Sequence, residues 1–83
     1  MSRSKFAAKF KMLVKESPLA YLNRLRLSVA ASLLIQGDLT VGEISHRVGY
    51  DSETAFSTAF KRRYGVAPGS YRRDAKQREA YAR

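Results

Sequence analysis

Apolar residues along this chain recur at three- and four-residue steps and nowhere alternate with polar ones, so the pattern predicts helices and no strands. Ser2 is placed to cap a helix running to about Val14, with Phe6, Phe10, Leu13 and Val14 on one face. Ser17 and Pro18 supply a cap and a first-turn proline for a second, longer helix to about Ile35. Leu22, Leu25, Val29 and Leu33 are its expected core face, and Gly37 its terminator. Thr40 to Glu43 reads as a capping box, with Leu39 and Ile44 spaced as its hydrophobic staple. The short helix that follows is expected to stop at Val48, because Gly49 breaks it. Ser52 or Asp51 caps a fourth helix with an apolar face of Ala55, Phe56, Ala59 and Phe60, ended by Gly65 after Tyr64. Pro68 opens a fifth helix through Tyr71, expected to trail into the polar stretch 74–83.

The pattern is written twice. Residues 2–21 align with 52–71, and the matches include the residues a helix needs: Ser2 with Ser52, Phe6 with Phe56, Phe10 with Phe60, Lys11 with Lys61, Pro18 with Pro68 and Tyr21 with Tyr71. Two copies of one unit are expected to do the same job side by side. The later copy is preceded by a helix (residues 40–48) whose counterpart in the first copy would fall before Met1. The expectation is therefore that the chain starts inside its first repeat. Phe6 and Phe10 would then lack part of their cover. A buried Phe is worth about 1.5–3 kcal/mol of transfer free energy, so the first helix is expected either to fray or to be exchanged between two chains in a homodimer.

Residues 40–60 carry the functional signal. Two short helices meet at Gly49-Tyr50-Asp51, with Ile44, Val48, Phe56 and Phe60 facing inward and small Ser45 where the helices must cross closely. Glycine at the turn, a small residue one turn earlier and apolar facing sides make up the helix-turn-helix pattern.

Charge adds a partner. With 16 Lys and Arg against 7 Asp and Glu, the chain is formally +9. That excess attracts polyanions, nucleic acid first and an anionic membrane surface second. The 83 residues hold no cysteine and one histidine, His46, which removes disulfide frameworks, thiolate chemistry and clustered imidazole ligation. No apolar run is long enough to span a membrane. Neither a carboxylate pair, nor a Ser/His/Asp constellation, nor a glycine-rich phosphate loop is present. No enzyme and no cofactor is expected.

The stretch 42–73 resembles the second helix-turn-helix of the AraC/XylS family of bacterial transcription regulators. The resemblance rests on Gly49-Tyr50, Ser52 with Phe56, Phe60-Lys61 with Tyr64-Gly65, and Pro68 with Tyr71-Arg72. The first residues, through the stretch Pro18 to Arg26, are similar to that family's first recognition helix and the linker helix after it. The resemblance implies an all-α fold of tandem helix-turn-helix units joined by a long linker helix, the first unit incomplete. Residues 1–37 would hold the first recognition helix and the linker, 38–73 the complete second unit, and 74–83 a polar tail. It implies double-stranded DNA as partner, RNA polymerase as a second one, no membrane, and a place on the bacterial nucleoid in the cytoplasm.

Reading residues follow from the helix phase. With Phe56 and Phe60 inward, Glu53, Thr54, Ser57, Thr58 and Lys61 face outward, and the early ones should reach base edges. Glu53 suits a cytosine amine, and Thr54 or Thr58 a thymine methyl. The corresponding positions of the first copy are Arg3, Ser4, Ala7, Ala8 and Lys11. Ala7 and Ala8 bring methyls without hydrogen bonds. Candidates for phosphate contact are Ser52, Lys61, Arg62, Arg63, Arg72, Arg73, Lys11 and Arg24.

Plainer roles compete with each of these. The four Phe residues at helical spacing are core rather than base-stacking groups. His46 is an exposed side chain on its helix. Arg24 and Arg26 serve equally as solvated surface or as backbone anchors, while Lys76, Arg78 and Arg83 belong to a solvated tail. Asp51 and Glu53 either discriminate or cap the helix dipole. Two other functions stay open at this level. A basic protein that binds RNA or membranes by charge alone would need neither the turn glycine nor the repeated Phe spacing. A protein-interaction module would use the same fold.

Overall fold

The computed structural model describes residues 15–81, which form four helices: α1 (Pro18–Gln36), α2 (Val41–Arg47), α3 (Glu53–Tyr64) and α4 (Pro68–Tyr81). The helix expected over 2–14, with Arg3, Ser4, Ala7, Ala8 and Lys11, lies outside the described residues, and so does its proposed exchange between chains.

Each helix starts where its local chemistry directs. Ser17 Oγ accepts from the Ala20 N–H at 3.1 Å, with Pro18 in the first turn of α1. At the other end Gly37 sits at φ 80 and donates to the Leu33 carbonyl, the left-handed termination that glycine adopts without strain. The capping box of α2 is complete: Thr40 Oγ1 accepts from the Glu43 N–H, and Glu43 Oε1 accepts from the Thr40 N–H, both at 3.1 Å. Ser52 Oγ caps α3 through the Ala55 N–H at 3.0 Å.

The Glu43 carboxyl is held below its ordinary value of 4.5, first by the Thr40 backbone N–H and then by the Thr40 hydroxyl. A carboxylate lowered in the folded state stabilises fully above its unfolded value and loses that contribution as pH falls through its folded value. The thermal midpoint of the wild type should therefore exceed that of Glu43→Gln at pH 6, with the gap closing as pH falls below about 4. A gap that stays constant from pH 6 to pH 3 would remove the carboxylate from the account.

The core is formed by Leu27, Ala30, Ala31 and Leu34 of α1 against Ile44 and Val48 of the α2 end and Phe56 and Phe60 of α3. Leu34, Ile44, Phe56 and Phe60 are fully buried. Leu39, Tyr50, Ala59, Tyr64 and Tyr71 close over this cluster. Inward placement of Ile44, Val48, Phe56 and Phe60, and burial of Ser45, agree with the sequence expectation.

Two kinds of expectation fail here, on helix faces and on helix length. Leu22, Leu25 and Val29 were the expected core face of α1, yet they are 42%, 41% and 53% exposed, and Leu33 is only partly buried. The buried stripe is centred about 145° round the helix from the expected one, at 100° per residue. α1 is apolar on both sides, so periodicity alone does not select a face. Ala30 and Ala31 settle it, because their small side chains let α2 and α3 approach closely. Ala55, expected to face inward, is exposed as well.

The second correction concerns 74–83. The chain does not trail into a tail after Tyr71 but stays helical to Tyr81. From Ala75 to Ala80 it contains only good helix formers and no Gly or Pro. α4 lies along the end of α1, where the Lys76 side chain passes close to Gly37.

Candidate nucleic-acid interface

The turn between α2 and α3 fixes how α3 is presented. Ser45 is buried and its Oγ donates to the Gly42 carbonyl at 2.7 Å, so its hydroxyl is satisfied inside α2. Tyr50 N–H donates back to the Ser45 carbonyl at 2.9 Å, and Gly49 N–H to that of His46 at 3.1 Å. Gly49 reaches φ +94, where a side chain is strained, although a Cβ would meet only the Arg26 guanidinium at an ordinary 3.6 Å. Backbone conformation, not lack of room, therefore requires glycine at this turn.

One face of α3 is locked by aromatic rings. Tyr50 meets Phe56 edge-on at 5.6 Å between centroids, and Phe56 lies 5.7 Å from Phe60. Phe60 in turn stacks on Tyr64 at 4.5 Å and meets Tyr71 of α4 edge-on at 5.3 Å. Such contacts add to the burial of the rings. The chain of rings ties the turn, α3 and α4 into one body.

The opposite face is polar and open. Thr54, Thr58, Lys61 and Arg62 are exposed there, Ser57 is half-buried at its edge, and Glu53 and Arg63 are exposed at the two ends of the helix, flanking the ring face. Lys61, Arg62 and Arg63 occupy the last turn, where positive charge also suits the helix dipole. The Glu53 carboxylate leans towards α2: Oε2 would stand 3.4 Å from a Cβ on Gly42. His46 is exposed on α2.

The candidate phosphate-contact residues divide. Arg62 and Arg63 share an open cleft with Asn23, Arg24 and Tyr50, between the first half of α1 and the second half of α3. Arg24 is held by Glu16, with Nε and Nη2 donating to the same oxygen at 3.1 and 2.8 Å, and its guanidinium sits 5.0 Å from the centre of the Tyr21 ring. The hydrogen bond and charge of Glu16 keep Arg24 protonated beyond its usual range. Ser52 Oγ is engaged as the α3 cap. Arg73 donates to Ser70 Oγ on the exposed side of α4.

Arg72, expected to meet phosphate, is held within the fold. Its Nε donates to the Leu34 carbonyl at 3.0 Å and its Nη2 to the Leu39 carbonyl. The guanidinium fork bridges the end of α1 and the loop entering α2, and supplies a partner both for a carbonyl that helix termination leaves free, that of Leu34, and for the loop carbonyl of Leu39. Neither Arg72 in this role nor Asn23 and Tyr50 in the cleft were singled out by sequence reasoning. The cleft brings together residues of α1, the turn and α3, which no local spacing reveals.

Among the described residues no cluster is placed to hold a metal ion, and no helix is long and apolar enough to cross a membrane.

Known proteins resemble the whole arrangement. A helix-turn-helix domain family model matches residues 1–74. The chain is 51% identical over 75 residues to the HTH-type transcriptional regulator AlkR of Acinetobacter baylyi, covering 90% of this chain and 24% of that protein. It is equally 51% identical over 73 residues to an AraC-like transcription regulator of Streptomyces lividans, covering 88% and 24%. The chain thus spans about a quarter of the length of the curated relatives it matches. Among solved structures, the DNA-binding domain of the global transcriptional factor AdpA, in complex with a target DNA, superposes with a TM-score of 0.89 at 35% identity. That match covers 94% of this chain and 70% of the other. Family model, relatives and four-helix architecture agree: the chain belongs to the AraC-type helix-turn-helix family of transcription regulators.

Proposed function

We propose that the chain is a sequence-specific DNA reader of a bacterial transcription regulator, laying α3 into the major groove. One observation carries this reading: α3 has a fully buried aromatic face, and the turn at Gly49 presents its opposite polar face to solvent. A helix held in that way can enter a groove without disturbing the core. The AdpA domain, of similar fold, is bound to its target DNA.

Thr54 and Thr58 touch base edges, with Glu53 and Ser57 beside them, while Lys61, Arg62 and Arg63 meet the flanking backbone. Glu53 must swing away from Gly42 to reach a base. Arg3, Ser4, Ala7, Ala8 and Lys11 form the corresponding set of a first reader. The place of action is the nucleoid in the bacterial cytoplasm. A protein partner is a second reading, favoured by the exposed apolar side chains of Leu22, Leu25 and Val29 beside Val48. RNA polymerase is the partner that the family resemblance implies.

Selection from a randomised duplex pool at physiological salt, with excess competitor DNA, tests the reading. A short motif should be enriched and then lost when Glu53, Thr54 and Thr58 are changed to alanine, each contact contributing about 1–3 kcal/mol of discrimination. Two motifs one helical turn apart would add the first reader. Binding that merely collapses with rising salt, with no motif, would reduce the chain to a charge-driven binder.

A further inference from the structure

We propose that the cleft between α1 and α3 is a binding site for a backbone phosphate, with Glu16 as its built-in competitor. The proposal rests on the DNA-reading function above and names a site within it. Arg24, Arg62 and Arg63 line one concavity together with Asn23 and Tyr50. Like charges brought to one concavity repel unless an anion sits among them. Among the described residues Arg62 and Arg63 have no carboxylate partner; the ion pair at this cleft is that of Arg24 with Glu16. Guanidinium forks match the oxygens of a phosphate, and amide and hydroxyl groups supply neutral donors around it.

Glu16 uses one oxygen, Oε1, to hold two nitrogens of Arg24. The Tyr21 ring supports the same guanidinium at 5.0 Å. Arg24 is therefore fixed in orientation, and its Nη1 remains available to a second acceptor. A phosphate entering the cleft meets a prepared arginine but also a carboxylate of its own sign, which it must displace or tolerate. Both side chains are partly open to solvent, 40% for Arg24 and 28% for Glu16, so the exchange requires no opening of the core. Arg62 and Arg63 follow Thr54 and Thr58 on α3. A phosphate in the cleft thus lies on the strand flanking the bases that α3 reads, and sets how far the helix enters the groove.

An acidic residue therefore weakens DNA binding through one particular arginine, and a double-mutant cycle tests that. Binding of the full chain to a labelled duplex of random sequence is measured by fluorescence anisotropy across a salt series. The variants are Glu16→Gln, Arg24→Ala, the two combined, Arg62→Ala with Arg63→Ala, and Asp38→Asn as a charge-matched change outside the cleft. Far-UV circular dichroism checks that each is folded, with Arg24→Lys replacing Arg24→Ala if it is not.

Glu16→Gln should bind about 2- to 5-fold tighter, the range expected for releasing a partly exposed ion pair. This gain should exceed that of Asp38→Asn and vanish when Arg24 is absent. Loss of Arg62 and Arg63 should lower the salt slope by about one unit. A gain no larger than that of Asp38→Asn, or one that persists without Arg24, overturns the proposal; so does an unchanged slope.

Inorganic phosphate alone separates a backbone site from a site for the free anion. Saturation of the cleft at sub-millimolar phosphate, followed through the Arg Nε resonances, would assign it to the free anion and overturn the backbone assignment. Absence of such saturation, with the duplex effects present, supports it. Because the duplex is random, the cycle can succeed even if no motif is ever selected. A selected motif with a flat cycle would sink the cleft and leave the reading intact.

Discussion

Phe60→Ala should abolish cooperative folding of this domain near physiological temperature. Phe60 is fully buried and its ring lies between Phe56, Tyr64 and Tyr71, with centroids at 5.7, 4.5 and 5.3 Å. Truncating such a ring removes its burial and leaves a cavity that the neighbours fill only in part, at a cost of about 3–5 kcal/mol. For a domain of this size, about 4 kcal/mol corresponds to a fall of roughly 16–32 °C in the thermal midpoint. Total stabilities of about 5–15 kcal/mol leave little margin for such a loss. Phe60→Leu, which keeps most of the volume, should cost less than half as much. The loss would reach the proposed DNA reading because the same ring joins the back of α3 to α4. Thermal unfolding followed by circular dichroism decides the matter: a midpoint within a few degrees of wild type would mean that the ring contacts do not hold α3.

The second large effect is expected at Arg72, where it separates two roles for one arginine. Its guanidinium donates to the Leu34 and Leu39 carbonyls, bridging the end of α1 to the loop that enters α2. Hydrogen bonds from a charged donor contribute about 1.5–3 kcal/mol each, and removing the donor leaves both carbonyls short of a partner. Arg72→Ala should therefore destabilise the fold by about 2–4 kcal/mol. Arg72→Lys should recover only a minor part, since an ammonium cannot reproduce the planar fork. At a temperature where the variant remains folded, its DNA affinity should fall with salt as steeply as that of the wild type. A phosphate contact behaves differently: stability would stay near wild type, the salt slope would drop by about one unit, and lysine would restore much of the binding. Chemical denaturation together with the salt series tells the two apart.

Particular residues show how far sequence could be followed. The starts and stops at Ser17, Gly37, Thr40, Ser52 and Gly65 were legible because each depends on bonds within about four residues, so the sequence spacing is the structure. The turn at Gly49 was legible for the same reason, and with it the outward set on α3, since burial of Phe56 and Phe60 sets the phase of a single helix. The buried face of α1 was not legible. Leu22, Leu25 and Val29 are spaced as well as Leu27, Ala30, Ala31 and Leu34 are, and only contact with the other helices distinguishes them. The partners of Arg72 were not legible either, because they stand 38 and 33 positions earlier in the chain.

Residue order alone sufficed to show that this protein is helical, where the helix-turn-helix of residues 40–64 begins and turns, and which family it resembles. Those features rest on capping bonds, glycine backbone freedom and one helical period, all of them local. Packing of the helices alone sets which side of α1 is core, joins Arg72 to the Leu34 carbonyl, brings Arg24, Arg62 and Arg63 to one cleft, and leaves Arg24 paired with Glu16. Each of these relations joins residues from different helices, and its energy exists only once those helices have packed.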